Sequence, residues 1–322
     1  MKGKANYGRP RAITPMYETA LGAMYVGAAE QILSGRKLAA LKGHVNIVFT
    51  SPPFPLNRKK RYGNLQGKEY VSWLAGFADL FKSLLTPDGS IVMELGNAWV
   101  AGSPTMSTLT LKALLEFQEK GELHLCQEFI CFNPARLPTP AQWVTIDRVR
   151  VKDAFTRVWW MAPSERPKAD NRLVLTEYSD SMKELLRRGT YNAGPRPSEA
   201  VISDDSFLKN NGGAIPPNVL VPRVLEMLPE LTEVLSISNT RSHDPYQEYC
   251  RKNGIRLHPA RMPEKLVEFF LKFLTKPGDL VLDPFAGSNT TGAVAERLRR
   301  RWFAIETDPG YAEASESRFN PL

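Results

Sequence analysis

The chain has 322 residues, 43% hydrophobic and 24% charged, enough for a sizeable core in one large domain or in a catalytic domain with a smaller appended lobe. Its 42 Lys and Arg against 34 Asp and Glu leave a formal charge of +8, which favours a polyanionic partner. The 3 cysteines, Cys126, Cys131 and Cys250, are too few for a disulfide framework and lack the close pairs or neighbouring histidines of a zinc site, so no metal is expected. No leading apolar run reads as a signal peptide and no stretch is long enough to span a bilayer, so the expectation is a soluble, cytoplasmic protein without membrane partners.

Residues 1–17 carry Lys2, Lys4, Arg9 and Arg11 among Gly and Pro and read as a basic arm. Residues 18–40 read as a helix, with Leu21, Met24, Tyr25 and Ala28 along one side. Val45 to Thr50 reads as a buried strand that stops at Ser51-Pro52-Pro53-Phe54. Two prolines cannot continue a central strand, so the backbone leaves the sheet at the strand's carboxyl end, where ligands of open α/β sheets bind. A hydroxyl, a fixed carbonyl and an aromatic face suit a planar, amino-bearing ring.

Next come four consecutive cations, Arg58, Lys59, Lys60 and Arg61, in a loop that suits phosphate. A helix is expected over 69–85, then a turn at Thr86-Pro-Asp-Gly89 and a strand over 90–95. Glu94 ends that strand, either as a site carboxylate or as a surface residue. A helix over 105–120 and a strand over 123–132 continue the alternation, which argues for a mostly parallel sheet covered on both sides.

From 133 to 217 the pattern changes to Pro, Gly and Arg interleaved with Trp143, Trp159 and Trp160. Strands over 147–152 and 156–161 are expected there; in the first, Arg148, Arg150 and Lys152 recur every second residue and share a face if the segment is extended. Residues 220–235 are weakly periodic, and 264–274 form an apolar-striped helix.

A strand at 280–283, a loop Pro284 to Gly292, a helix over 293–300 and a strand ending at Glu306 then follow. Gly287 and Gly292 let the chain approach a ligand closely. Glu306, ending the next strand, stands where a carboxylate accepts from vicinal ribose hydroxyls. Asp283 would repel a pyrophosphate yet suits an ammonium. Ribose at one end and ammonium at the other describe S-adenosyl-L-methionine better than a dinucleotide. The loop is neither a phosphate loop nor Gly-x-Gly-x-x-Gly.

Ser-Pro-Pro-Phe at 51–54 and Asp-Pro-Phe-Ala-Gly-Ser-Asn-Thr-Thr-Gly at 283–292 together resemble the amino-group DNA methyltransferases of bacterial restriction–modification systems, in their permuted beta class. The resemblance implies a circularly permuted S-adenosylmethionine-dependent α/β fold with a mostly parallel seven-stranded sheet. It divides the chain into a catalytic half at 1–132 including the basic arm, a target-recognition region at 133–217, and a cofactor-binding half at 218–322. Ser51, Pro52, Pro53 and Phe54 match the catalytic tetrapeptide, and Ser in first place is typical of cytosine-N4 enzymes. Asp283, Phe285, Gly287, Ser288 and Thr290 match the cofactor loop, Glu306 the ribose-binding acid, and His258, Pro259 and Pro263 the segment closing the methionine side. Asn289 stands where the family usually has Gly. Glu94 matches a place where relatives have Asp near the target amine.

The resemblance therefore implies a site-specific enzyme that methylates N4 of a flipped cytosine in duplex DNA, with adenine-N6 methylation as the alternative. Residues 150–154, 158–160 and 212–218 resemble a family member acting on the inner cytosine of CAGCTG, which makes that palindrome the candidate target. Arg58, Lys59, Lys60, Arg61, Arg148, Arg150 and Lys152 are the expected DNA contacts. A restriction endonuclease acting on the same sites is the expected companion, and monomer and homodimer both stay open. Carbon-5 methylation requires a nucleophilic cysteine, usually within Pro-Cys, and no cysteine here follows proline.

Overall fold

The computed structural model describes residues 14–54, 65–133, 136–191, 194–195, 201–203, 207–221, 235–236 and 244–319. Among these, ten strands make one sheet. In chain order they are β1 (Tyr17–Glu18), β2 (Gly22–Val26), β3 (Val45–Thr50), β4 (Leu85–Gly96) and β5 (His124–Phe132). They continue with β6 (Phe155–Ala162), β7 (Val219–Val221), β8 (Leu235–Ser236), β9 (Leu280–Asp283) and β10 (Arg301–Glu306). Their order across the sheet is β1-β2-β10-β9-β3-β4-β6-β5-β7-β8. The seven from β2 to β5 in that order form its body, and the extra edge strands have only two or three residues. β2, β10, β9, β3 and β4 are parallel, whereas β6 runs antiparallel between β4 and β5.

The central strands are apolar on both faces because both faces are covered. Val48, Ile91, Leu282 and Ile305 pack on one side against Tyr70, Leu74, Phe81 and Phe117, from the helices Gly67–Ala75, Ala78–Leu84 and Leu109–Lys120, and against Phe77 between the first two. Their neighbours Ile47, Val92, Val281 and Ala304 point the other way, against Leu266, Phe270 and Val294 from the helices Glu264–Leu274 and Thr290–Arg297. Among the described residues no helix is long and apolar enough to cross a membrane.

The chain leaves β9 through the helix Thr290–Arg297 to β10 on one side, and leaves β3 through two helices to β4 on the other. β9 and β3 are neighbours, so the sheet changes direction between them and opens a crevice beyond their carboxyl ends. Asp283 ends β9 and Ser51 follows β3.

Five expectations need correction. Residues 18–40 are not one helix: 22–26 form β2, paired in parallel with β10 from Trp302↔Gly22 to Glu306↔Val26. Met24 and Tyr25 enter opposite core layers, so the apparent helical stripe is a strand buried on both faces. The Thr86–Gly89 turn is instead a bulge within β4, where the register with β3 shifts between Val45 and Ile47. The expected helix over 69–85 is two helices that meet at Gly76 and Phe77.

Residues 147–152 form no strand. A π-helical turn at Gln142–Ile146 precedes them and Arg148 has φ 54°, so Arg148, Arg150 and Lys152 do not alternate on one extended face. The expected 293–300 helix runs instead over Thr290–Arg297, because Asn289 caps it three residues early and Arg299 turns out of it at φ 60°. Most of the weakly periodic 220–235 stretch, and the arm over residues 1–13, lie outside the described residues.

Candidate active site

The crevice holds a cavity of about 500 Å³. Ser51 to Phe54 wall it from β3, Asp283 to Ser288 from β9, Glu306 and Thr307 from β10, and Ala28 to Glu30 from the end of β2. Asp283 is buried and fully engaged from its own side: Thr50 Oγ1 donates to Oδ1 at 2.9 Å, Thr291 Oγ1 to Oδ2 at 2.6 Å, and the Phe285 amide to Oδ1 at 3.1 Å. Burial pushes its carboxyl up to about 6, against the lowering effect of those bonds. Glu306 Oε2 accepts the Gly287 amide at 2.7 Å, and Oε1 accepts the Asp308 amide at 2.8 Å and the Thr307 hydroxyl at 3.3 Å. Burial raises its pKa too.

The loop between them is shaped by close approach. Gly287 has φ +52°, and a Cβ there would lie 2.8 Å from Cε1 of His258. Asn289 takes the left-handed conformation, φ 51° and ψ 41°, which Asn tolerates better than most residues. Its Oδ1 accepts the Gly292 amide at 3.0 Å and its Nδ2 donates to Tyr17 Oη at 2.9 Å. A Cβ on Gly292 would lie 2.3 Å from that Oδ1, so Asn289 and Gly292 fit as a pair.

Two more wall residues fit a nucleoside-bearing ligand. Trp73 and Phe285 lie 5.6 Å apart between ring centroids, while Trp73 Nε1 donates to Glu30 at 2.9 Å. The Tyr70 hydroxyl is buried with no hydrogen-bond partner among the described residues, and Tyr70 walls the cavity. A buried hydroxyl with no protein partner beside a cavity can bond a ligand or a water there.

A second chamber of about 390 Å³ shares Ser51, Phe54, His258, Ala260 and Met262 with the first. Glu94, Cys131, Asn133, Arg136 and Thr156 complete its polar side. The antiparallel pairing of β4 with β6 sets Glu94 beside Thr156, whose Oγ1 donates to Glu94 Oε1 at 2.8 Å. Ser51 is hydrogen-bonded to Glu94 as well. Burial raises the Glu94 pKa and outweighs the lowering by those bonds and by the Arg136 charge. Phe54 lies against Gly96, where a Cβ would stand 2.7 Å from Phe54 Cε2. The bare Gly96 makes room for the ring.

The expected site residues are thus largely brought together. Ser51, Pro52, Pro53, Phe54, His258, Asp283, Phe285, Gly287, Ser288 and Glu306 wall the larger cavity, and Glu94 walls the smaller. Pro259 and Pro263 wall the smaller chamber. Thr290 belongs to neither wall; it is buried at the start of its helix, its hydroxyl 3.5 Å from that of Ser288. Ser288 is itself held by Arg318, whose Nε donates to the Ser288 carbonyl at 2.7 Å.

Of the expected DNA contacts, Arg148, Arg150 and Lys152 wall neither cavity. Arg58, Lys59, Lys60 and Arg61 lie outside the described residues. Arg148 is exposed, Arg150 pairs with Asp153 at 3.4 Å and lies over Trp99, and Lys152 donates to the Arg136 carbonyl at 3.4 Å. Sequence reasoning missed Thr50, Thr291, Glu30, Tyr70, Trp73 and Arg136. Thr50 had a signal, a hydroxyl ending an apolar strand. Tyr70 and Trp73 were hidden in a helix read as amphipathic, and Glu30 in the misread 18–40 segment.

The model of the family described as DNA methylase matches residues 45–317. The type II methyltransferase M.PvuII of Proteus hauseri is 42% identical over 316 residues, covering 98% of this chain and 87% of the relative. A solved structure of the PvuII DNA methyltransferase (cytosine-N4-specific) matches with TM-score 0.71 and 37% identity, over 96% of this chain and 90% of that one. A crystal structure of the M1.HpyAVI–SAM complex, 17% identical with TM-score 0.50 over 93% and 100% of the two chains, shares the fold. The tetrapeptide at the end of β3, the acid-lined loop after β9 and these matches agree: the chain belongs to the DNA methylase family.

Proposed function

We propose that the chain transfers the methyl group of S-adenosyl-L-methionine to the N4 amine of a cytosine flipped out of duplex DNA, within a short palindrome for which CAGCTG is the candidate. The observation that carries this is the pair of chambers meeting at Ser51 and Phe54. One fits a cofactor with an ammonium for Asp283 and ribose hydroxyls for Glu306; the other is small, polar-walled and bounded by an aromatic ring. The name of the similar PvuII enzyme, cytosine-N4-specific, supports the choice of base.

An amine conjugated to a pyrimidine ring is a poor nucleophile, and inside a duplex it is out of reach. Flipping costs a few kcal/mol, offset by contacts in the chamber and to phosphate. Phe54 stacks on the extruded ring. Ser51 Oγ and the Pro52 carbonyl accept the two amine hydrogens and turn the nitrogen lone pair toward the larger cavity. S-adenosylmethionine, when bound, supplies a sulfonium methyl for direct in-line transfer. Alignment and stabilisation of developing charge do most of the work. The amine proton leaves through Ser51 toward Glu94, whose raised pKa suits it to hold that proton. Cys131 also walls this chamber, but burial pushes its thiol up to about 12, so it is no nucleophile for carbon-5 chemistry.

The catalytic half (1–132) and the cofactor half (218–322) meet at the crevice. Target recognition falls to the parts of 133–217 on either side of β6, together with the cations at 58–61. The type II name of the relative supports a companion restriction endonuclease that cuts unmethylated copies of the same site, in the same cytoplasm. The test is incubation with unmethylated genomic DNA and S-adenosylmethionine, followed by single-molecule sequencing. N4-methylcytosine at one palindrome bears the reading out; N6-methyladenine, or no modification, overturns it.

A further inference from the structure

Arg136 and Arg261 are the arginines of the smaller chamber; Arg261 is paired with Asp244 at 2.9 Å, whereas neither the family motifs nor the tetrapeptide chemistry gives Arg136 a task. It lies beyond β5 and walls the chamber that also contains Ser51, Phe54 and Glu94. It is held in place from several directions. Its amide donates to the Asn133 carbonyl at 3.2 Å, its Nη1 donates to the Phe155 carbonyl at 3.1 Å, and its own carbonyl accepts from Lys152. Its charge is close enough to lower the pKa of both Glu94 and Cys131. The guanidinium has five donors, and the bond to Phe155 uses only one nitrogen.

The base edge that enters this chamber explains a donor there. Cytosine presents an amine, the N3 acceptor and the O2 carbonyl. Adenine presents an amine and the N1 acceptor, but only a C–H where cytosine has O2. Ser51 and the Pro52 carbonyl answer the amine, which both bases share, so they do not tell the two apart. A fixed guanidinium does. With cytosine it donates to O2; with adenine it is left facing a C–H once the base fills the chamber, and a site built to donate to a ligand carbonyl discriminates against a base that lacks it.

Resting on the N4-cytosine reading above, we infer that Arg136 is the specificity-determining residue that reads the O2 carbonyl of the flipped base and so selects cytosine over adenine. The same charge also faces Glu94, so a role exercised only through that carboxyl is the rival explanation. The two separate cleanly, because a role through Glu94 serves either base alike, whereas carbonyl reading serves cytosine alone.

The experiment compares the full-length wild type with Arg136→Met and Arg136→Lys on two duplexes that differ only in cytosine or adenine at the target position. It records kcat/KM from incorporated methyl, the methylated nucleoside, and the Kd of S-adenosylmethionine. Arg136→Met is expected to lose at least tenfold in kcat/KM on cytosine, to methylate adenine no more slowly than wild type, and to bind S-adenosylmethionine within twofold of wild type. Arg136→Lys, which keeps a cation, recovers part of the cytosine rate. Equal losses on both bases, a cytosine rate unchanged in Arg136→Met, or cofactor binding lost along with activity each overturn the assignment. If wild-type adenine turnover is below detection, a duplex carrying 2-thiocytosine at the target, whose sulfur is a poor hydrogen-bond acceptor, decides instead: the wild type is expected to slow at least tenfold on it relative to cytosine while Arg136→Met treats the two bases alike, and equal slowing in both proteins, or none in the wild type, overturns the assignment. Failure of the wild type to make N4-methylcytosine refutes the functional reading itself, and is seen before any variant is compared.

Discussion

Thr50 Oγ1 donates to Asp283 Oδ1 at 2.9 Å, joining the strand that delivers Ser51 to the strand that opens the cofactor loop. The two residues are far apart in the chain, and the parallel pairing of β3 with β9 makes them neighbours. One hydrogen bond thus ties the Ser51–Phe54 tetrapeptide to the acid-lined loop, so in the proposed function the methyl acceptor and the methyl donor are held by one piece of sheet.

Asp283 gives the site a pH dependence. Burial raises its folded-state pKa to about 6 from the ordinary 3.8, so the folded protein binds a proton more tightly than the unfolded chain. Its contribution to stability is present below the unfolded pKa and is lost as pH rises through about 6, a change of roughly 3 kcal/mol at about 1.4 kcal/mol per unit. Chemical denaturation at several pH values is expected to show the stability of the ligand-free wild type, relative to Asp283→Asn, falling across that window. S-adenosylmethionine affinity runs the opposite way. Its ammonium prefers the ionised carboxyl, so calorimetry is expected to show binding tightening as pH rises through about 6, with the effect blunted in Asp283→Asn.

Ser51→Ala removes the hydroxyl that accepts an amine hydrogen and leads to Glu94. Single-turnover methylation is expected to slow by about 100 to 1,000-fold, the range for loss of one organised polar group at a reacting centre, while cofactor affinity stays within about twofold. Comparable losses in both would make Ser51 a cofactor residue.

Gly287→Ala places a methyl group 2.8 Å from the His258 ring at a backbone φ of +52°. Strain of about 1–3 kcal/mol is expected in thermal unfolding, together with at least tenfold weaker S-adenosylmethionine binding as the loop or His258 gives way.

Asn289 separates backbone from side-chain effects. Asn289→Gly keeps the left-handed turn and loses the cap and the Nδ2 bond to Tyr17, so its cost is expected at about 1 kcal/mol. Asn289→Ala loses the same bonds and leaves a Cβ at φ 51° without the amide that lets Asn tolerate that region, at about 2 kcal/mol or more. Denaturant titrations of the two variants check the order.

The parts of the molecule that were legible in the sequence are those where local pattern and tertiary role agree. Val45 to Thr50 ends at two prolines, and Asp283 to Gly292 couples an acid, two glycines and a helix start, so both halves of the crevice announce themselves. Asn289 was also readable, because its tolerance of the left-handed region is intrinsic. β2 was not, since a strand buried on both faces carries no period of its own, and Met24 and Tyr25 mimic a helical stripe. The Thr86–Gly89 bulge looks like a turn because its Pro and Gly serve either geometry. Tyr70, Trp73 and Arg136 reach the chambers through packing between distant segments, which no window of sequence contains.

The most direct test of the central claim is to incubate the purified protein with a duplex containing one CAGCTG site and S-adenosylmethionine carrying a labelled methyl, then hydrolyse the DNA to nucleosides. The account predicts label in N4-methyldeoxycytidine. Label in N6-methyldeoxyadenosine, or none in DNA from a protein that binds the cofactor, would contradict it.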